Sequence, residues 1–239
     1  MISTSLGLAI ALPGGIWLGM LANALVRRIP VWLERQWARD LTETRRTSVH
    51  TAFNSSNSKW IDSPRGLRDA VLPLSTSALA LACLLQYGAT PETLAALVFC
   101  VVLVILALID LDTGLLPDVL TLPLMWLGLC INAGGVFASP GLAIWGAFIG
   151  YGVPWLFAMI YRAATGREGM GYGDFKLLAA VGAWMGLAAV PLVLISATAL
   201  ALFVAMALRL AKRSSAGEVM PFGPYLAAAS IGYLFLSAA

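Results

Sequence analysis

Long apolar segments separated by short polar breaks are the feature of this sequence that most limits its possible folds. Of its 239 residues, 60% are hydrophobic and only 11% are charged, whereas a soluble domain has roughly 25% charged residues. A helix needs about 20 mainly apolar residues to cross the hydrocarbon layer of a membrane. The apolar segments are 5–26, 70–87, 93–109, 119–137, 142–161, 175–210 and 219–236. The sequence therefore predicts an all-α integral membrane protein.

The segment 175–210 is much longer than a single span requires. Lys176 and Arg209 lie at its two ends, and basic residues collect on the cytoplasmic side of membrane proteins. Both ends therefore lie on one side, and the segment must cross the membrane twice. Gly186 and Pro191 are the best break points, which gives one short helix and one full helix. The expected total is about eight transmembrane helices.

The distribution of positive charge predicts the orientation of these helices. All 15 lysine and arginine residues fall in the segments 27–68, 162–176 and 209–213. We expect these three segments to be cytoplasmic. The basic residues lie beside apolar spans and indicate topology, so we do not expect binding to nucleic acid. The lipid membrane is the expected environment.

The charge and apolar patterns divide the chain into three parts. The first is a transmembrane span at 1–26, the second a cytoplasmic loop at 27–69, and the third a seven-span membrane domain at 70–239. Within the loop, residues 31–42 carry apolar side chains near helical spacing, which predicts an amphipathic helix on the membrane surface. Residues 44–62 are rich in Ser, Thr and Asn, with few side chains to form a core.

Cysteine and histidine are too sparse in this sequence to indicate a metal site. Cys83, Cys100 and Cys130 each lie singly within an apolar run, and His50 is the one histidine. No Cys-x-x-Cys pair occurs, so neither a thiolate zinc site nor a disulfide framework is predicted.

Two aspartates at the ends of apolar runs are the strongest candidates for chemistry. Asp110 directly follows a long apolar run, and Asp174 follows a glycine-rich turn and begins another run. Ionisable residues at membrane depth are costly and therefore indicate function. The charge pattern places both on the cytoplasmic side. Asp112 lies on another helix face, and we expect it to be nearer to water.

The residues around these two aspartates have structural and functional interpretations. Asp118 and Asp174 each precede or begin a helix and are placed to act as N-caps. Gly171 and Gly173 permit positive φ and close approach of another backbone, such as that of an extended substrate. Lys176 either marks topology, favours the ionised form of Asp174, or contacts substrate.

Two carboxyl groups brought together form an acid–base pair, because both cannot ionise cheaply. Aspartic proteases use such a pair, with one shared proton, to activate water and protonate the leaving amine. No Ser–His pairing, His-Glu-x-x-His motif, phosphate-binding loop or dinucleotide motif competes with it. Paired membrane acids also relay protons in transporters, so the residues leave an aspartic hydrolase and a proton-coupled transporter both open.

Four sequence motifs resemble those of bacterial prepilin peptidases, the type IV leader peptidases. Asp110 is followed after five residues by Leu116-Pro117-Asp118, which resembles the first active-site motif of that family. Gly171-Tyr172-Gly173-Asp174-Phe175-Lys176 resembles its Gly-x-Gly-Asp-x-Lys motif. Residues 221–224 and 19–37 resemble two further family stretches.

The resemblance implies a GxGD-type intramembrane aspartic protease fold with Asp110 and Asp174 as the catalytic pair. From the chemistry of the residues themselves, we expect Gly171, Gly173 and Lys176 to lie near the substrate. The implied reaction removes the leader of type IV prepilins and type II secretion pseudopilins, after a glycine, at the cytoplasmic face of the bacterial inner membrane. A proton-coupled transporter and a non-catalytic secretion assembly factor are the alternatives.

The resemblance also implies methylation of the new N-terminus with S-adenosylmethionine. Many family members carry two Cys-x-x-Cys pairs in the first cytoplasmic loop, whereas residues 44–62 contain no cysteine. This chain is therefore of the cysteine-less kind, and no zinc is predicted. Glu34, Arg35 and Trp37 are candidates for the methyl-transfer site, although a membrane-surface helix explains them equally well.

Overall fold

The structure, a computed structural model, describes residues 13–29, 32, 65–166, 169–211 and 220–237. Apart from Trp32, the predicted amphipathic helix at 31–42 lies outside the described residues. The polar segment 44–62 also lies outside them.

Eight helices and no strands occur within these ranges, which confirms the all-α prediction. They are α1 at 13–29, α2 Arg65–Tyr87, α3 Pro91–Thr113, α4 Asp118–Ala133, α5 Pro140–Thr165, α6 Tyr172–Met185, α7 Ala189–Leu210 and α8 Gly223–Ser237. Helices α3, α5 and α7 are long and apolar enough to cross a membrane. The chain divides into two compact units, one ending at Leu115 and the other beginning at Leu116.

In the first unit, glycines let α1 approach α2 closely. A Cβ atom on Gly15 would lie 2.6 Å from the Cα of Ser77, and one on Gly19 would lie 2.5 Å from the Cα of Pro73. The Thr76 hydroxyl donates a hydrogen bond of 2.8 Å to the carbonyl of Gly15. In a membrane, lipid tails are as apolar as the side chains, so apolar burial alone does not drive helices together. Small residues and buried hydroxyls of this kind hold the helices together instead.

Helix α6 is the centre of the second unit. Every residue from Asp174 to Met185 is buried except Lys176. Helices α4, α5, α7 and α8 all pack against it. Its 14 residues correspond to a length of about 21 Å. The second unit is thus built around a short helix that carries Asp174 in its first turn.

Three glycines let α5 and α6 pack backbone to backbone. A Cβ atom on Gly150 would lie 2.7 Å from the carbonyl oxygen of Leu178. One turn away, Gly146 and Gly182 face each other so closely that a Cβ atom on either would overlap the carbonyl group of the other. Gly146 and Gly150 are four residues apart, the spacing of small residues that brings membrane helices into close contact.

The predicted break at Gly186 is confirmed, whereas Pro191 does not interrupt a helix. Gly186 has φ 79° and ψ −179°, a backbone conformation that is essentially restricted to glycine. Helix α7 begins at Ala189, so Pro191 lies in its first turn, where the missing N–H of proline has no helical partner to lose.

Asn132 joins the α4–α5 connection to the end of α6. Its amide nitrogen donates to the carbonyl oxygens of Ala183 and Trp184 at 2.8 and 2.7 Å. Its amide oxygen accepts from the backbone nitrogens of Phe137 and Ala138 at 2.9 and 3.0 Å. The side chain is fully buried, so these bonds satisfy polar groups that water does not reach.

We expect Asn132→Ala to destabilise the protein by about 1–3 kcal/mol, because it leaves buried backbone groups without partners. The measurement is the midpoint of thermal unfolding in detergent, followed by tryptophan fluorescence. Gln86→Ala is the control, since the Gln86 side chain is exposed. Equal midpoints for the two variants would contradict this role for Asn132.

Candidate active site

Asp110 and Asp112 both lie in the last turn of α3 and are both buried. Their exposed fractions are 5% and 7%. Gly114 ends the helix in the left-handed conformation, with φ 66°, and its N–H donates to the Asp110 carbonyl. Asp112 is only marginally nearer to water than Asp110, because burial on α3 continues into its final turn. The structure therefore presents two buried acids here, not one.

Asp174 lies in the first turn of α6 and is 9% exposed. The N-cap is Gly171, so Asp174 is the third helical residue and the N-cap prediction was wrong. Its backbone N–H donates to the Gly171 carbonyl at 3.2 Å. The partial positive charge at a helix N-terminus favours a carboxylate at this position.

Gly171 and Gly173 provide space for neighbouring atoms, and neither has a positive φ. Gly171 has φ −71° and ψ 143°, which any residue can adopt. A Cβ atom on Gly171 would lie 3.2 Å from Oδ2 of Asp174. A Cβ atom on Gly173 would lie 2.8 Å from the Cβ of Leu116 and 3.4 Å from its carbonyl oxygen. The predicted close approach at Gly173 is thus made by the chain itself.

Asp118 forms an ion pair with Lys176. The ammonium group lies 2.6 and 2.7 Å from the two carboxylate oxygens. Asp118 is the first residue of α4, whose N-cap is Pro117, so the N-cap prediction for Asp118 was also wrong. Sequence reasoning treated Asp118 and Lys176 separately, and the sole indication of their contact was that each lies in a family motif.

Aromatic side chains surround the start of α6. The ring of Phe175 lies edge-on to those of Tyr151 and Tyr172, with centroids 6.2 and 5.8 Å apart. A pocket beside this cluster is lined by Trp155, Ala158, Met159, Arg162, Gly169, Met170, Tyr172 and Phe175. The pocket has the chemistry to hold an apolar side chain next to a polar group.

The predicted site residues are distributed over both units. Asp110 belongs to the first unit, and Gly171, Gly173, Asp174 and Lys176 belong to the second. Within the part of the chain that the structure describes, no group of three or more His, Cys, Asp or Glu residues could hold a metal ion. The first unit therefore offers two buried carboxyl groups, and the second offers a buried carboxyl group, an ion pair and an apolar pocket.

Comparison with known proteins relates the chain to leader peptidases. Residues 97–206, which include both aspartate motifs, match the type IV leader peptidase family. The chain is 33% identical to the prepilin leader peptidase/N-methyltransferase of Burkholderia pseudomallei strain 1026b, over 97% of this chain and 86% of the relative. It is 37% identical to the protein of that name from Aeromonas hydrophila, over 90% and 85% of the two chains.

The protein of the same name from Pseudomonas putida is 36% identical, again over 90% of this chain and 85% of the relative. No solved structure matches the chain. Similarity at this level extends over nearly the whole chain and over most of each relative, so it is not confined to the two motifs. The chain belongs to the type IV leader peptidase family.

Proposed function

We propose that this protein cleaves the leader peptide of type IV prepilins and type II secretion pseudopilins. The observation that carries the proposal is the similarity over nearly the full chain to several prepilin leader peptidases. The burial of Asp110 and Asp174 at helix ends supports it, because buried acids in a membrane protein indicate a functional site.

In the proposed mechanism, Asp110 and Asp174 act as a pair on one water molecule. One carboxylate takes a proton from the water as its oxygen attacks the carbonyl carbon of the bond after glycine. The other aspartate, protonated, donates its proton to the leaving nitrogen as that bond breaks. Because two adjacent carboxyl groups titrate as a unit, the proton is assigned to the pair.

The start of α6 is the proposed substrate side of the site. Gly171 leaves space beside the Asp174 carboxylate, which suits an extended peptide lying against the backbone. Gly173 and Lys176 border the same turn, and the pocket at Trp155 and Met170 suits an apolar substrate side chain. The hydrophobic helix of the prepilin would pack among the spans through apolar and small-residue contacts.

We further propose that all eight helices cross the bacterial inner membrane, with the active site facing the cytoplasm. The positive charge in 27–68, 162–176 and 209–213 supports this orientation. The described helices α3, α5 and α7 have the required length and apolarity. In this arrangement residues 27–69 form a cytoplasmic loop, and residues 70–239 form the catalytic membrane domain of seven spans.

N-methylation of the newly exposed residue is the second proposed activity. The names of the relatives include it, and S-adenosylmethionine would supply the methyl group. Glu34, Arg35 and Trp37, the sequence candidates for this activity, lie outside the described residues. We assign none of the described residues to the binding of S-adenosylmethionine.

One experiment measures both activities separately. The purified protein is incubated in detergent with a prepilin and with S-adenosylmethionine labelled in its methyl group. We expect the prepilin to shorten by its leader and the label to appear on the mature pilin. Cleavage without label would restrict the function to proteolysis.

An intact prepilin in that assay would contradict the proposal. The proton-coupled transporter hypothesis predicts this result together with proton or solute flux in reconstituted vesicles. The assembly-factor hypothesis predicts an intact prepilin in the assay, no flux, and normal pilus or secretion function in cells carrying Asp110→Asn or Asp174→Asn.

A further inference from the structure

Two contacts hold the turn that carries Asp174 against the start of α4. On one side of Asp174 in sequence, Gly173 lies against Leu116, where a Cβ atom would be 2.8 Å from the Leu116 Cβ. On the other side, Lys176 pairs with both oxygens of Asp118. One contact is steric and the other is ionic, and Asp174 lies between them.

The Asp118–Lys176 pair connects the N-terminal ends of two helices. Asp118 is the first residue of α4, and Lys176 follows Asp174 by two residues in α6. Lys176 is the one residue between Asp174 and Met185 that is not buried. Its ammonium group is therefore held at the edge of an otherwise closed core, where it pairs with Asp118.

The exposure of the pair argues against a large role in stability. The Lys176 and Asp118 side chains are 25% and 54% exposed, and ion pairs this exposed contribute roughly 0–1 kcal/mol. A small displacement of a reacting group matters far more, since a shift of about 1 Å can lower a catalytic rate about a hundredfold. The geometry therefore favours an effect on rate over an effect on folding.

We propose that Asp118 and Lys176 are positioning residues that hold the Asp174 carboxylate in place for peptide cleavage. This inference rests on the proposed function, in which Asp174 is one of the two catalytic acids. The proposal gives Asp118 a role in positioning Asp174, whereas the sequence predicted that Asp118 acts as a helix cap. It also differs from the expectation that Lys176 binds substrate, which the same experiment tests.

The activity arm compares Lys176→Gln, Asp118→Asn and the double variant with the unaltered protein in prepilin cleavage. Each single variant is expected to lower kcat about tenfold and to change KM less than about twofold, because positioning affects the reaction and not binding. The double variant is expected to be no slower than the slower single variant, since residues acting as a unit are not additive. Lys176→Arg keeps the charge and should retain most of the activity.

Three results in this arm would overturn the proposal. Unchanged kcat in both single variants would remove the role. Losses that multiply in the double variant would show that the two residues act separately. A rise in KM with constant kcat for Lys176→Gln would assign Lys176 to substrate binding.

A second arm does not depend on activity. In a protein with Cys83, Cys100 and Cys130 changed to alanine, an Asp174→Cys variant is treated with a small maleimide in membranes. With rates compared at equal thiolate fraction, taken from the pH dependence of alkylation, adding Lys176→Gln is expected to raise the rate at position 174 severalfold, and adding Lys176→Arg is expected to leave it unchanged. An equal rate with Lys176→Gln would overturn the positioning role, whether or not the unaltered protein cleaves prepilin. Failure of the unaltered protein to cleave prepilin would instead contradict the proposed function.

Discussion

The Asp110→Asn and Asp174→Asn variants are each expected to lose prepilin cleavage by about a thousandfold or more, the scale seen when one member of a catalytic pair is removed. Asparagine has the size of aspartate but neither accepts the proton of water nor donates one to the leaving nitrogen. Cleavage is measured by mobility of the prepilin on a gel over a time course. The amount of each variant in the membrane fraction is measured in parallel.

Asp112→Asn is the matched control for these two variants. Asp112 is as buried as Asp110 and lies in the same helical turn, so the variant removes a comparable charge from the same element. We expect it to cleave the prepilin at close to the normal rate. Normal cleavage by Asp110→Asn or by Asp174→Asn would reject the aspartate pair. Loss in Asp112→Asn, with normal accumulation, would transfer the role to Asp112.

The largest expected effect on stability is that of Gly146→Leu. A side chain at this position meets the backbone carbonyl of Gly182, which no rotamer change moves aside. The two helices must therefore separate, and we expect a loss of about 3 kcal/mol or more, at the upper end of overpacking effects. For a chain of this size that corresponds to a fall of about 6 °C or more in Tm, measured in detergent by tryptophan fluorescence.

An alanine pair separates crowding from the loss of glycine itself. Gly146→Ala and Gly152→Ala make the same change in the same helix, but a Cβ atom on Gly152 would have no atom within 4 Å. Gly152→Ala is expected to keep or raise Tm, because alanine favours a helix over glycine by up to about 1 kcal/mol. Gly146→Ala is expected to lower it. Equal shifts for the two alanine variants would contradict the close crossing.

The helices were predictable from the sequence because apolar length and breaking residues act locally. The break at Gly186 follows from a backbone conformation that glycine alone adopts readily, and its neighbours on both sides form long apolar runs. The N-cap predictions for Asp118 and Asp174 were wrong because other residues occupy the two cap positions. Pro117 and Gly171 occupy the cap positions without a side-chain hydrogen bond, and the aspartates that resemble caps in sequence lie inside the first turn.

The contacts around Asp174 were less accessible to sequence reasoning because they join distant residues. Asp118 and Lys176 are 58 positions apart, and nothing in either local pattern indicates its partner. The meaning of Gly173 likewise depends on Leu116 lying beside it. Residue type suggested a glycine that accommodates substrate, whereas packing shows a glycine that accommodates another part of the chain.

The shortness of α6 has a consequence for the supply of water. A helix of 14 residues covers about 21 Å, about 9 Å less than the usual hydrocarbon thickness. In the proposed topology, in which α6 crosses the membrane, at least one of its flanking turns lies below the lipid surface, where non-helical backbone is tolerated only inside protein or beside water. We expect the glycine turn at 169–171 to open a hydrated inlet in the bilayer, through which the attacking water reaches Asp174.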